Sequence, residues 1–179
     1  PELALEIQQK LAVIDDETQG IFLPRRMAYM GRLIQHGGIF PGEMLRLFRN
    51  GKGQCENRWM DEHIKVDGGM VVFENELIDD NLNPLSWWID KHNKYASREV
   101  VDILNREHRF MYYDSVASLS DGSQASTKRW IKENVYSKLP IGVGPLLYFV
   151  YRYFIRFGFL DGKEGAAFHF LQGFWYRYL

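Results

Sequence analysis

Three short stretches carry residue types that a folding core alone does not require: Arg46-Leu47-Phe48-Arg49, Trp59-Met60-Asp61-Glu62-His63, and the run from Trp87 to Ala96. In the middle stretch two adjacent carboxylates stand beside an imidazole. Such a set supplies a general base, with a neighbour that tunes its pKa or touches a metal. Adjacent positions of an extended segment point oppositely, so one carboxylate would face a substrate and the other would be structural. A solvated acidic turn is the plainer reading, against which the Trp59-Met60 lead-in weighs. His63 is the candidate metal ligand. Arg46, Arg49 and Arg58 offer planar paired donors that match phosphate oxygens; the alternative is an amphipathic surface strand. Trp87, Trp88, Lys91, His92 and Tyr95 suit a sugar ring, which stacks on an aromatic plane and bonds to flanking polar groups. The alternative is a helix that packs its tryptophans inward and leaves Lys91 and Lys94 in water. As a set, the three stretches describe a place where a phosphorylated sugar is held while a carboxylate does base chemistry.

The elements that must position these residues follow from periodicity. Leu3, Ile7, Leu11 and Ile14 share a helical face, giving a helix over 2–14. Ile21-Phe22-Leu23-Pro24 reads as a strand, 29–34 as a strand or a short helix, and His36-Gly37-Gly38 as a loop that lets backbone approach a ligand. Met44–Arg49 alternates as a strand does, with Arg46 and Leu47 on opposite faces, and Met70–Phe73 is a second β-rich run. Asn83-Pro84 opens a long helix over 85–107, in which His92, Tyr95 and Glu99 share a face. Residues 115–127, rich in Ser, Ala, Asp and Gly, read as a linker or mobile loop. Helices are expected over 130–139, 145–157 and 166–178, with Gly158-Phe159-Leu160-Asp161-Gly162 breaking the last two apart.

Composition narrows the classes. The 179 residues suffice for one domain with a core. The single cysteine, Cys55, excludes an internal disulfide framework and a cysteine-based zinc site. His36, His108 and His169 lack metal-ligand spacing, and no metalloprotease, nucleophile-elbow, P-loop or dinucleotide glycine motif is present. Residues 1–127 hold 14 basic against 20 acidic side chains, whereas residues 128–179 hold 8 against 3 together with 15 of the 27 aromatics. A basic, aromatic-rich segment is what an anionic membrane surface attracts. The apolar run 139–160 is interrupted by Arg152 and Arg156, so it reads as an interfacial helix with both arginines on one face and Leu147, Val150 and Phe154 on another. No nucleic-acid-binding pattern accompanies the basic residues.

The strings Phe40-Pro41 to Arg49, Trp59 to His63, Trp88 to Glu99, and Gly158 to Gly162 followed by aromatic helix occur in an order that resembles the C-terminal half of bacterial family 2 glycosyltransferases. The resemblance is to the group that builds lipopolysaccharide core, colanic acid and other exopolysaccharides. It implies an α/β, GT-A (Rossmann-like) fold, with short strands followed by an amphipathic helical tail. It implies an inverting transfer of a sugar from a nucleotide-sugar donor to a lipid-linked or lipopolysaccharide saccharide, at the cytoplasmic face of the inner membrane and without nucleic acid. Under it Glu62, with Asp61 close behind, is the base; Arg46, Arg49 and Arg58 contact phosphate or acceptor; and Trp87 to His92 lie near acceptor and diphosphate. The family's nucleotide-binding strands and its Asp-x-Asp, which holds a divalent Mg or Mn ion, align upstream of Pro1, and no Asp-x-Asp occurs here. The expectation is therefore a fragment, possessing an acceptor-side half over 1–114, the linker over 115–127 and a membrane-associating tail over 128–179. The rival from another class is a non-catalytic scaffold that holds a glycolipid or a partner on the same aromatic and basic surface.

Overall fold

A single twelve-residue strand organises the molecule. The computed structural model describes residues 1–112, 139–140 and 142–179. The long strand β1 (Thr18–Tyr29) has both edges occupied. Along one edge β3 (Gly42–Phe48) runs antiparallel from Gly20↔Phe48 to Arg25↔Gly42, and β2 (Arg32–Leu33) follows, antiparallel, at Ala28 and Tyr29. Along the other edge lie β6 (Gly69–Val72) and then β7 (Leu77–Asp80), both parallel to β1. The fold is thus a mixed α/β arrangement with a small sheet and C-terminal helices.

The turn between β1 and β2 explains why 29–34 is ambiguous in sequence. Met30 and Gly31 both take positive φ, as a two-residue hairpin turn with the twist of its strands requires. The ladder between β1 and β3 slips between Ile21↔Leu47 and Phe22↔Leu45. Arg46 is the extra residue of this β-bulge and is turned out to solvent, while Leu45 is buried and Leu47 packs on the core. A separate two-stranded ribbon, β4 (Gly53–Cys55) with β5 (Ile64–Val66), brackets residues 56–63 as a loop.

Helix α1 (Glu2–Leu11) stops short of Ile14, the end its periodicity suggests. Leu3, Ile7 and Ile14 still pack on Ile21, Leu23 and Phe73, but Leu11 is exposed. Buried Glu6 ties α1 to the loop after β6 by accepting the Glu74 and Asn75 backbone N–H groups, at 2.8 Å each, and pairing with Lys10. Burial alone would raise this carboxyl, yet those donors hold it down at about 2.

Helix α2 (Leu85–His108) begins after Pro84 and ends where Arg109 turns left-handed and donates its N–H to the Asn105 carbonyl. Helix α3 (Val143–Val150) widens into a π turn at Tyr151–Ile155, and a 3-10 turn, Gly158–Asp161, leads to α4 (Gly162–Phe170). The chain stays helical through Leu171–Trp175 to Tyr176–Tyr178. Phe168 of α4 joins Tyr29, Ile34 and Trp88 in the second core cluster, so residues read in sequence as a tail share a core with β1 and α2. The linker expected over 115–127, and all but Leu139 of the helix expected over 130–139, lie outside the described residues.

Candidate functional site

Loop 56–63 is fixed at its base by a buried carboxylate. The Glu56 N–H donates to the His63 carbonyl and the His63 N–H to Glu56 Oε2, each at 2.9 Å. The Glu56 side chain has no exposed surface, and His63 Nδ1 lies 3.4 Å from its Oε2. The His63 ring also meets the Asp61 carbonyl, at 2.9 Å. Midway along the loop Arg58 reaches across to α2 and forms an ion pair with Asp102 in which both side chains are buried. Trp59 Nε1 then meets Met111 Sδ at 3.3 Å. Held at these points, the chain carries Asp61 on a left-handed backbone with φ of 56°. That corrects the extended reading of the acidic pair. Asp61 and Glu62 sit in a bend, both exposed, and strand alternation does not decide which one faces a substrate.

Helix α2 presents two faces to this region. Inward, Trp88 is buried and stacks on the His92 ring at 3.5 Å, while His92 Nδ1 meets the Trp88 carbonyl at 2.9 Å. Burial, aided by the charge of Lys91, pulls His92 below its ordinary value, against the carbonyl bond. Tyr176, from the last helical turn, stands edge-on to His92 at 5.3 Å and donates its hydroxyl to Glu99 Oε2 at 3.0 Å. Burial first, and then Glu99, raise the Tyr176 phenol, so it stays a neutral donor; the charge of Asp61 acts on it in the same sense. Tyr176 therefore ties the C-terminal helix to α2, within electrostatic range of Asp61. Beside it exposed Trp87 and half-buried Lys91 and Tyr95 form a stripe, with Lys91 Nζ 5.0 Å from the Trp87 ring and 5.4 Å from the Tyr95 ring, and Tyr95 in turn 5.6 Å from the His92 ring.

Chemically, this is an exposed carboxylate on a braced loop, beside a neutral phenol and an imidazole, with aromatic faces for an apolar or sugar surface. The chain matches no family model, no curated protein and no solved structure. The geometry alone carries the functional reading. Among the described residues no three His, Cys, Asp or Glu side chains converge as a metal set, and His63 Nδ1 is engaged with the Asp61 carbonyl and Glu56.

The arginines expected to bind phosphate take different places. Arg49 donates Nε to the Thr18 carbonyl at 2.9 Å and Nη2 to the Asp15 carbonyl at 3.0 Å, and pairs with Asp16, stapling the start of β1. Arg58 is the buried strut just described. Arg46 projects from its bulge into solvent, with Nη2 3.8 Å from Met44 Sδ. The structure thus sets Asp61 and His63 on Glu56, and Trp88 and His92 against Tyr176, with Asp102 tying the loop to α2; Glu56, Asp102 and Tyr176 are not among the residues the sequence proposes. A carboxylate in the middle of a helix is the one local signal for Asp102; nothing near Glu56 or Tyr176 in sequence announces them.

A second polar cluster joins the C-terminal helices to the sheet. Asp161 accepts the Gln35 N–H at 3.2 Å and the His36 N–H at 2.9 Å, and contacts His36 Nδ1 at 2.8 Å. Burial alone would raise this carboxyl, but the His36 side chain and the two N–H groups keep it low. His169, wholly buried, lies 3.8 Å from Asp161, and both its ring nitrogens lack a hydrogen-bond partner. Gly37, at φ of 83°, backs onto that ring so closely that a Cβ would clash with its Cε1, which fixes glycine in the His36-Gly37-Gly38 loop. This cluster is a joint between elements. Its glycines approach a histidine of the same chain.

Proposed function

We propose that the chain is the acceptor-side part of an inverting glycosyltransferase, moving a sugar from a nucleotide-sugar donor to a saccharide on a lipid at the cytoplasmic face of the inner membrane. The observation that carries the reading is an exposed acidic pair on a loop braced by Glu56 and tied by the Arg58–Asp102 ion pair to α2, the helix that also carries Trp87, Lys91 and Tyr95. Of the two carboxylates the geometry favours Asp61 as base, because it sits at the left-handed bend and within electrostatic reach of Tyr176. In the reaction the acceptor hydroxyl oxygen attacks the anomeric carbon, its proton passes to Asp61, and the bond to the nucleoside diphosphate breaks with inversion. The stripe of Trp87, Lys91 and Tyr95 stacks on and bonds to the acceptor saccharide through its exposed Trp87 edge. A divalent Mg or Mn ion, when bound in the full-length enzyme, neutralises charge on the leaving diphosphate.

Sugar transfer by the natural full-length protein tests the reading. Asp61→Asn should lower kcat by about 100-fold or more and leave donor binding unchanged, whereas Glu62→Gln should retain most activity. Equal activity of the Asp61→Asn protein removes Asp61 as base. Absence of any metal-dependent nucleotide-sugar binding by the full-length protein favours the scaffold instead.

A further inference from the structure

Helix α3 and its π turn are turned inside out. Val143, Leu146, Leu147, Val150, Phe154 and Ile155 recur at helical spacing, and every one of them is exposed, Ile155 at 62% and Phe154 at 55%. The opposite side, facing the protein, carries Gly144, Pro145, Tyr148 and Arg152. Arg152 retains only 2% exposure: Nη1 donates to Gln172 Oε1 at 3.1 Å, and the Tyr148 and Phe168 rings flank the guanidinium. A surface helix of a water-facing protein directs its apolar stripe to the core and its cations to solvent. Here both are reversed. Arg152 and Arg156, expected on one outward face, are split, with Arg152 inside and Arg156 outside.

The apolar stripe is continued by exposed Phe157, Phe159 and Leu160. Among the described residues, the charges that follow it along the chain have one sign at the surface. Arg156 and the almost fully exposed Lys163 face outward, whereas Asp161 is buried and Glu164 is largely covered, beside Arg32 and Lys163. A second copy docking this face on itself would oppose like charges, and an anionic lipid headgroup layer would not.

We propose that this inverted face of α3 and the following turn is the surface by which the protein lies on an anionic bilayer, with the apolar stripe in the acyl boundary and Arg156 and Lys163 among the headgroups. The inference rests on the membrane-surface reading above. It adds a consequence for the site: the helical unit that meets lipid also supplies Phe168 to the core and Tyr176 to the candidate site, so docking fixes the height of that site above the headgroups.

The test is co-sedimentation of the 179-residue chain with vesicles, either phosphatidylcholine alone or phosphatidylcholine with one quarter phosphatidylglycerol. The chain should pellet with the anionic vesicles. Leu147→Glu combined with Phe154→Glu should abolish pelleting while circular dichroism and a monomeric sedimentation profile stay unchanged. Arg156→Glu with Lys163→Glu should weaken anionic-vesicle binding by about 25-fold, about fivefold per cation removed. Wild-type chain that stays in the supernatant overturns the proposal. So does a wild-type dimer that the Leu147→Glu, Phe154→Glu protein loses, since the face would then belong to a second copy. Equal binding to both vesicle types overturns the anionic preference. Vesicle binding needs no donor sugar, so a failed transferase assay and a failed docking face give separate results.

Discussion

Loop 56–63 and the C-terminal helices dispose of charge in opposite ways. In the loop the buried charges are paired: Glu56 accepts from the His63 backbone, and Arg58 and Asp102 close on each other, leaving Trp59, Asp61 and Glu62 exposed. In the helices the buried cation Arg152 reaches neutral Gln172 and two aromatic rings, with Nε and Nη2 unsatisfied, buried His169 stands 3.8 Å from Asp161 without a hydrogen bond, and a long apolar stripe is outside. Well-paired buried charges hold a geometry, because breaking the pair strands a charge in low dielectric. A buried cation held by neutral partners under an apolar exterior is the reverse of how a water-facing helix disposes its residues. The first region has the economy of a site, the second that of a contact surface.

The largest effect should come from breaking the paired region. Asp102→Ala removes the buried carboxylate that faces Arg58 and should lower stability by about 3–5 kcal/mol, read from urea unfolding. Replacing both partners by apolar residues, Arg58→Met with Asp102→Leu, should recover most of that loss. If Asp102→Ala costs less than about 1 kcal/mol, the strut is not what braces the loop, and the contrast between the regions weakens.

The C-terminal helices should show themselves in pH dependence. Burial, and then the charge of Arg152, push His169 down to about 4, from an ordinary value of 6.5. Between those values the unfolded chain binds a proton that the folded chain refuses. Stability is therefore intact above about pH 6.5 and falls as pH drops towards 4, by at most about 3 kcal/mol. His92, lowered by burial, adds in the same direction. His169→Gln should flatten the urea-midpoint profile between pH 6.5 and 4.5; an unchanged slope would mean that His169 is not the titrating group.

The smallest stability effect is expected at exposed Trp87. Trp87→Ala should change unfolding free energy by less than about 0.5 kcal/mol, because the ring is half in water, while buried Trp88→Ala should cost about 3–5 kcal/mol. If the stripe holds acceptor, Trp87→Ala raises the acceptor KM of the full-length enzyme about tenfold with kcat nearly unchanged. A fall in kcat alone would move Trp87 away from acceptor binding.

Much of the scaffold was legible along the chain. Helix α2 follows from Pro84 and a 3.6 period, β3 from the alternation before Arg49, and the break at Gly158 from its glycines. Less of the candidate site was legible. The acidic pair and the aromatic helix announce themselves by local composition, but the residues that join them do not. Arg58 meets Asp102 44 positions away, and Tyr176 meets Glu99 at a separation of 77. Arg46 looked like one more alternating strand position, and only the slipped register against β1 makes it a bulge.

Neighbouring residues alone fix where α2, the last helices and the strands β1 and β3 run, that two carboxylates and an imidazole stand together, and that the C-terminal segment is basic, aromatic and periodic. These are consequences of neighbours within a few residues, which local sterics and periodicity report directly. Tertiary structure alone decided which arginine braces the loop, which staples β1 and which stays in solvent. It also decided that α3 turns its apolar stripe outward. Periodicity says that a helix has two unlike faces, and only the partner it packs against says which of them is inside.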